Sequence, residues 1–156
     1  MSITYPPRPG MTLTFEDEFD RATLNGDGYN WMTYFPWGAR NQPYFHQSQL
    51  FVDTDYVTPT GVKPGINPHQ MIADPTEPGD GILKIVADRT PAEYANDIPT
   101  KYTSGHINSA NMFDFRYGYA EMRAKLPFGQ GMESTFYLVR ADQAQLGEID
   151  INEHVT

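Results

Sequence analysis

Residues Met11 to Phe15 alternate between apolar and polar side chains, the period of a strand that buries one face. The acidic run Glu16-Asp17-Glu18 ends that alternation. Gln49 to Val52 reads as a short strand, and Gly81 to Ala87 is a β-branched run bounded by turn signals. Pro91 to Ala95 has room for one helical turn. From Tyr102 onward the pattern predicts four strands, Thr103 to Asn108, Tyr117 to Leu126, Met132 to Val139 and Glu148 to Val155. They are separated by Phe113-Asp114, by Pro127 to Gly131 and by Asp142 to Gly147, and such short loops favour antiparallel pairing. Between these runs lie two long irregular stretches. Arg21 to Gln49 carries turn signals at Asn25-Gly26, Asp27-Gly28, Phe35-Pro36 and Trp37-Gly38, and its aromatics predict an ordered, functional loop. Thr54 to Gly81 holds Pro59, Pro64, Pro68, Pro75 and Pro78, which argues against helix. The expectation is an all-β chain with one core and a single domain over 1–156.

Composition narrows the chemistry. Aromatics make up 13% of residues, with 13 Gly and 13 Pro, a mix suited to strands joined by many turns. The formal charge is -9, and no cluster of Lys and Arg offsets it, so nucleic acid and anionic membranes are excluded as partners. No stretch approaches the roughly 20 apolar residues of a membrane span. Cys is absent, which removes disulfides, thiolate metal sites and a cysteine nucleophile. His46, His69, His106 and His154 have no zinc-type spacing, and neither a Ser-centred nucleophile motif nor a phosphate-cradling glycine loop is present.

The chemistry concentrates in Gly147-Glu148-Ile149-Asp150-Ile151-Asn152-Glu153-His154-Val155. In a regular strand Glu148, Asp150 and Asn152 share one face, Ile149 and Ile151 point into the core, and Glu153 faces the wrong way. A β-bulge around Ile151 and Asn152 restores the phase and brings Glu153 onto the carboxylate face. Glu148 and Glu153 then stand about four strand steps apart, roughly 13 Å between Cα atoms, a gap that two inward-leaning Glu side chains can close. Retaining glycosidases need their two carboxyl groups ≈ 5–5.5 Å apart, one to attack and one to protonate the leaving oxygen. Asp150 lies between them, and crowded like charges raise at least one pKa, which supplies an acid at neutral pH. By spacing alone, a solvent-facing acidic side of an amphipathic strand explains the pattern equally well.

Glu148-Ile149-Asp150-Ile151-Asn152-Glu153 resembles the E-x-D-x-x-E signature of glycoside hydrolase family sixteen, in the bulged form of laminarinases and agarases. Tyr102-Thr103-Ser104-Gly105 is similar to the family's Y-T-S-G strand. Tyr117 to Gly131 is similar to its Y-G-x-x-E-x-R-x-K-L-P-x-G-x-G block, and Phe15 to Asp20 to its N-terminal motif. The motifs stand in the family's order along nearly the whole chain. The resemblance implies a concanavalin-like β-jelly-roll sandwich and a retaining endo-β-glycanase acting on a β-linked polysaccharide. Glu148 would be the nucleophile, Asp150 its assistant and Glu153 the acid/base. It places Trp37, Arg40 and Asn41 on a cleft-lining loop, where an aromatic face with amide and guanidinium donors suits a sugar. It also implies secretion or a periplasmic location, and a structural calcium for which Glu18, or Glu16 in its stead, is an oxygen ligand. Ile66-Asn67-Pro68 is similar to bacterial members that cut acidic exopolysaccharides such as succinoglycan.

Departures from the family pattern fall on the sugar-facing positions. Many relatives read G-L-W-P-A-F-W where this chain reads Gly131-Met132-Glu133-Ser134-Thr135-Phe136-Tyr137, so Glu133 and Tyr137 take the places of two Trp. An extra carboxylate at Glu133 would contact sugar hydroxyls or repel acidic substrates. His106 stands where an Arg commonly follows Y-T-S-G. Family domains continue well past the acidic motif, so the sandwich is expected to be incomplete here, its missing half supplied by a second polypeptide or a strand-exchanged copy. A lectin-like binding or scaffold module without turnover is the alternative function, and transglycosylation shares the same covalent intermediate.

Overall fold

The structure is a computed structural model that describes residues 9–25, 30–142 and 147–155. The turns expected at Gly26 and Asp27-Gly28 and the middle of the loop from Asp142 to Gly147 lie outside the described residues, as does most of the segment before Gly10. The chain divides into two compact units, Met1–Phe113 and Asp114–Thr156. Its regular structure is all-β: seven strands and two single 3-10 turns, with no α-helix among the described residues. This is the class of the β-jelly-roll.

In the first unit, β1 (Gln49–Phe51) pairs in parallel with β5 (Tyr102–Ser104), and β4 (Asp88–Arg89) pairs antiparallel on the other side of β5. β2 (His69–Ala73) and β3 (Gly81–Ile85) form an antiparallel pair in which His69 opposes Ile85 and Ala73 opposes Gly81. The stretch read as irregular thus contains β2. Its prolines punctuate the strand rather than exclude it, since Pro68 and Pro75 stand just beyond its two ends, where a missing N–H costs the ladder nothing. Leu50, Val52 and Ile98 form the buried apolar cluster, with Tyr56, Ile66 and Tyr94 packed against it. Each such aliphatic side chain contributes roughly 1.5–3 kcal/mol by leaving water. The helical turn expected near Pro91 is the 3-10 turn Ala92–Tyr94.

A polar cluster adjoins this core. Asp53 is buried and accepts hydrogen bonds from the Thr33 hydroxyl, from Arg40 Nη1 at 2.9 Å and from Asn25 Nδ2 at 3.4 Å. Burial alone would raise the Asp53 pKa, but the Thr33 hydrogen bond and the Arg40 charge outweigh it and hold the carboxyl below its ordinary range. The described residues of the long aromatic loop are tied down by these bonds, together with backbone pairing of Met32 with Asn108.

Two expected strands are not formed. Met11 to Phe15 and Tyr117 to Leu126 carry the right alternation, yet neither is strand. A strand exists through the neighbour that takes its N–H and C=O groups, and a binary pattern does not supply one. In the second unit, β6 (Glu133–Val139) and β7 (Glu148–Val155) form an antiparallel hairpin at the positions that the pattern predicts.

Candidate active site

The β6–β7 hairpin carries the acidic motif. Pairing runs Val139↔Glu148, Leu138↔Ile149 and Tyr137↔Asp150, then skips Ile151 and resumes at Phe136↔Asn152 and Thr135↔Glu153. Ile151 is therefore the extra residue of a β-bulge, the irregularity that the sequence required. Opposed residues of an antiparallel pair point to the same side. Glu148, Asp150 and Glu153 accordingly share one face with Val139, Tyr137 and Thr135, and Glu133, opposite Val155, is on that face too.

Two details differ from expectation. Asn152 lies on the other face, where its Nδ2 donates to the Ser134 carbonyl at 3.0 Å, because the phase change of the bulge is complete before Asn152 is reached. Ile149 and Ile151, expected in the core, are 66% and 46% exposed. Within its unit β7 has β6 as its sheet neighbour among the described residues, so no second layer of that unit covers them.

Crowding on the carboxylate face has an electrostatic consequence. Burial, the charge and hydrogen bond of Asp150 and the charge of Glu153 together raise the Glu148 pKa above the ordinary carboxylate value. The Tyr137 phenol is pushed up by burial and then by the charges of Glu148 and Asp150, so it remains a neutral hydroxyl facing anionic neighbours. The carboxyl whose hold on a proton is strengthened is thus Glu148, the residue that a double displacement needs as an anion.

The remaining predicted sugar-contacting residues belong to the first unit. Trp37 is 57% exposed and lies flat on the buried Phe35, with ring centroids 4.7 Å apart and planes 9° apart. Phe35 packs in turn on the His106 ring at 4.5 Å, and Phe51 on the same ring at 5.2 Å. His106 Nε2 accepts from Asn108 Nδ2 at 3.2 Å, and burial lowers its pKa to about 4, so the ring is neutral at pH 7. His106 thus sits beneath the aromatic stack. Arg40 donates to Asp53 and to the Phe51 carbonyl, and its guanidinium lies 5.0 Å from the ring centres of both Tyr34 and Tyr56. Asn41, half-buried, follows it on the loop. No local pattern marks Tyr34, Asp53 and Tyr56 as partners of Arg40, since they are scattered along the chain and meet only in the fold.

The acidic N-terminal segment carries the oxygen donors expected around calcium. Glu16, Asp17, Glu18, Asp20 and Asp80 line a cavity together with Arg21 and Gly79. Asp17 is engaged elsewhere, accepting from Trp31 Nε1 at 2.7 Å and from Asn30 Nδ2 at 3.0 Å. Among the described residues no three Asp, Glu or His side chains gather on one point, so any calcium held here would draw its further ligands from backbone carbonyls and water.

Comparison with known proteins agrees with the hairpin. Residues 76–156 match the sequence model of Glycosyl hydrolases family 16. The chain is 31% identical to an endo-1,3-1,4-beta-glycanase, ExsH, of Rhizobium meliloti over 94% of its own length and 30% of the relative's. A second endo-1,3-1,4-beta-glycanase of that organism, EglC, gives the same identity and coverage. Identity is 29% to glucan endo-1,3-beta-glucosidase A1 of Niallia circulans, over 96% of this chain and 21% of the relative. The chain therefore spans about a third or less of these relatives. No solved structure gives a significant match.

Proposed function

The chain belongs to glycosyl hydrolases family 16, and from that premise we propose that it carries the catalytic motif of a retaining endo-β-glycanase. The observation that supports this reading is the bulged register of β6 and β7, which gathers Glu148, Asp150 and Glu153 on one face. Glu148 attacks the anomeric carbon as the bond to the leaving sugar oxygen breaks, and Glu153 gives that oxygen its proton. Glu153 then takes a proton from water, the resulting oxygen attacks the same carbon, and Glu148 is released as carboxylate. Asp150, hydrogen-bonded to Glu148, holds the nucleophile in line. In the first unit Trp37 offers the open face of its indole to a sugar ring and Asn41 an amide on the same loop, and in the second unit Glu133 and Tyr137 offer polar groups on the carboxylate face.

The substrate is a β-linked polysaccharide, met outside the cytoplasm after secretion or in the periplasm. Mixed β-1,3-1,4-glucan is the first polymer to test, because two Rhizobium meliloti relatives are endo-1,3-1,4-beta-glycanases. Further polypeptide covers the exposed apolar side chains of the second unit, including Ile149 and Phe128. A glycan-binding role without turnover is the competing reading, favoured by Glu133 and Tyr137 standing where many relatives have Trp.

Reducing-end release from β-glucans, agar, carrageenan and succinoglycan separates the two. Glu148→Gln is expected to abolish release while polymer binding persists. Glu153→Ala is expected to regain turnover with azide on substrates that have good leaving groups, and failure of both results removes the hydrolase assignment.

A further inference from the structure

The loop that carries Trp37 and Arg40 continues into a feature that the catalytic reading does not use. Pro43–Phe45 is a 3-10 turn, and its two aromatic side chains stand in water, Tyr44 at 88% and Phe45 at 67% exposure. The turn holds them in a fixed relation. Phe45 N donates to Gln42 O and His46 N to Pro43 O, both at 3.0 Å, and the Gln47 side chain closes the base by accepting from Gln42 N at 3.1 Å. His46 leaves the turn in the left-handed conformation, φ 58°. The rings meet edge to face, with centroids 5.4 Å apart and planes at 88°, so a broad face of each remains open.

Presenting two aromatic rings to water on a braced turn forgoes the stabilisation that burial would provide. Three kinds of occupant would recover it, and size and charge discriminate among them. Two aromatic side chains offer on the order of 300–500 Å² at most, whereas a stable protein partner needs ≈ 800 Å² per side. An anionic membrane surface needs cations, and there is no Lys or Arg from Asn41 through Asp53. What the turn does present, two aromatic faces with the Gln47 amide at its base, suits the C–H faces and hydroxyls of pyranose rings.

We propose that Tyr44 and Phe45 form a glycan-holding platform on the Trp37 loop, which takes pyranose units of a β-linked polymer as a contact additional to the sugar-binding residues assigned above. This rests on the chain acting on such polymers. The test uses affinity electrophoresis in gels containing mixed-linkage β-glucan, laminarin or succinoglycan, with Glu148→Gln as the background so that no polymer is cut. The double substitution Tyr44→Ala/Phe45→Ala is expected to weaken retardation at least fivefold in one of these polymers, and Tyr44→Trp is expected to keep it. Unchanged retardation in the double variant overturns the platform, as does a parent chain that none of the polymers retards. A monomer–dimer shift in sedimentation that the double variant removes, with retardation unaffected, also overturns it and assigns the rings to a second copy. Reducing-end release by the unsubstituted chain is read separately. Release with retardation independent of Tyr44 and Phe45 removes only the platform. Retardation that depends on them without release keeps the platform and removes the hydrolase reading.

Discussion

Asp150 does two things to Glu148, adding negative charge beside it and sharing a hydrogen bond with it, and both raise its pKa. If Glu148 must be ionised to attack, the acid limb of kcat/KM reports that ionisation and lies above the usual glutamate range. Asp150→Asn removes the charge, so the limb is expected to move to lower pH while maximal turnover falls; a limb that stays in place detaches Asp150 from the nucleophile. At Arg40 the outcome concerns stability. Its guanidinium neutralises the buried Asp53. Arg40→Ala strands a buried carboxylate and is expected to cost about 3–5 kcal/mol in denaturant unfolding. Arg40→Lys should restore little, because an ammonium cannot lie flat against the rings of Tyr34 and Tyr56.

At the scale of the element, the bulge in β7 separates strand phase from strand length. Pairing on both sides of Ile151 is in register, so deleting Ile151 leaves Glu153 opposite Thr135 and on the face of Glu148. That deletion is expected to retain measurable turnover. Inserting one Ala between Asn152 and Glu153 rotates Glu153 to the opposite face and is expected to abolish turnover, with the strand signal in circular dichroism kept in both variants. In β5 and its continuation, the neutral ring of His106 accepts a hydrogen bond that its protonated form would lose. With the pKa lowered from 6.5 to about 4 by burial and by the neighbouring His69, the unfolded chain binds more protons between these values. Stability from this group is full above pH 6.5, declines as pH falls toward 4, and changes by on the order of 3 kcal/mol across that window. Urea unfolding of the parent and of His106→Phe at pH 7 and pH 4.5 checks it, since the substituted chain should lose this part of the slope.

For the whole molecule, exposed apolar side chains are the dominant feature of the second unit. Phe128, Tyr117, Val155 and Ile149 all face solvent there. Surfaces of this kind associate. Sedimentation of the isolated chain is expected to show self-association, relieved when a polypeptide that covers the hairpin is added. A sharp monomer with one cooperative melt argues against any such partner. The acidic balance of the chain sets the second whole-molecule expectation: its association should strengthen with salt as like charges are screened, the reverse of a nucleic-acid binder.

Local pattern was sufficient where a segment makes its own partner. β6, β7 and the bulge between Asp150 and Asn152 were legible because hairpin strands adjoin in sequence and because three carboxylates on one face demand a phase change. β3 and the turn after Pro91 were legible from their bounding turn signals. Tyr117 to Leu126 has equally good alternation and forms no strand, since the neighbour that would complete its ladder is not specified by its own residues. β2 was hidden because prolines mark boundaries as readily as they exclude strands. The sequence by itself determined the all-β class, the acidic motif and its family. Only the tertiary structure decided that Arg40 is held between Tyr34 and Tyr56 against Asp53, that His106 lies beneath Phe35, and that Asn152 leaves the carboxylate face. Those outcomes depend on groups distant in sequence competing for the same hydrogen bonds and the same buried volume, which no local period records.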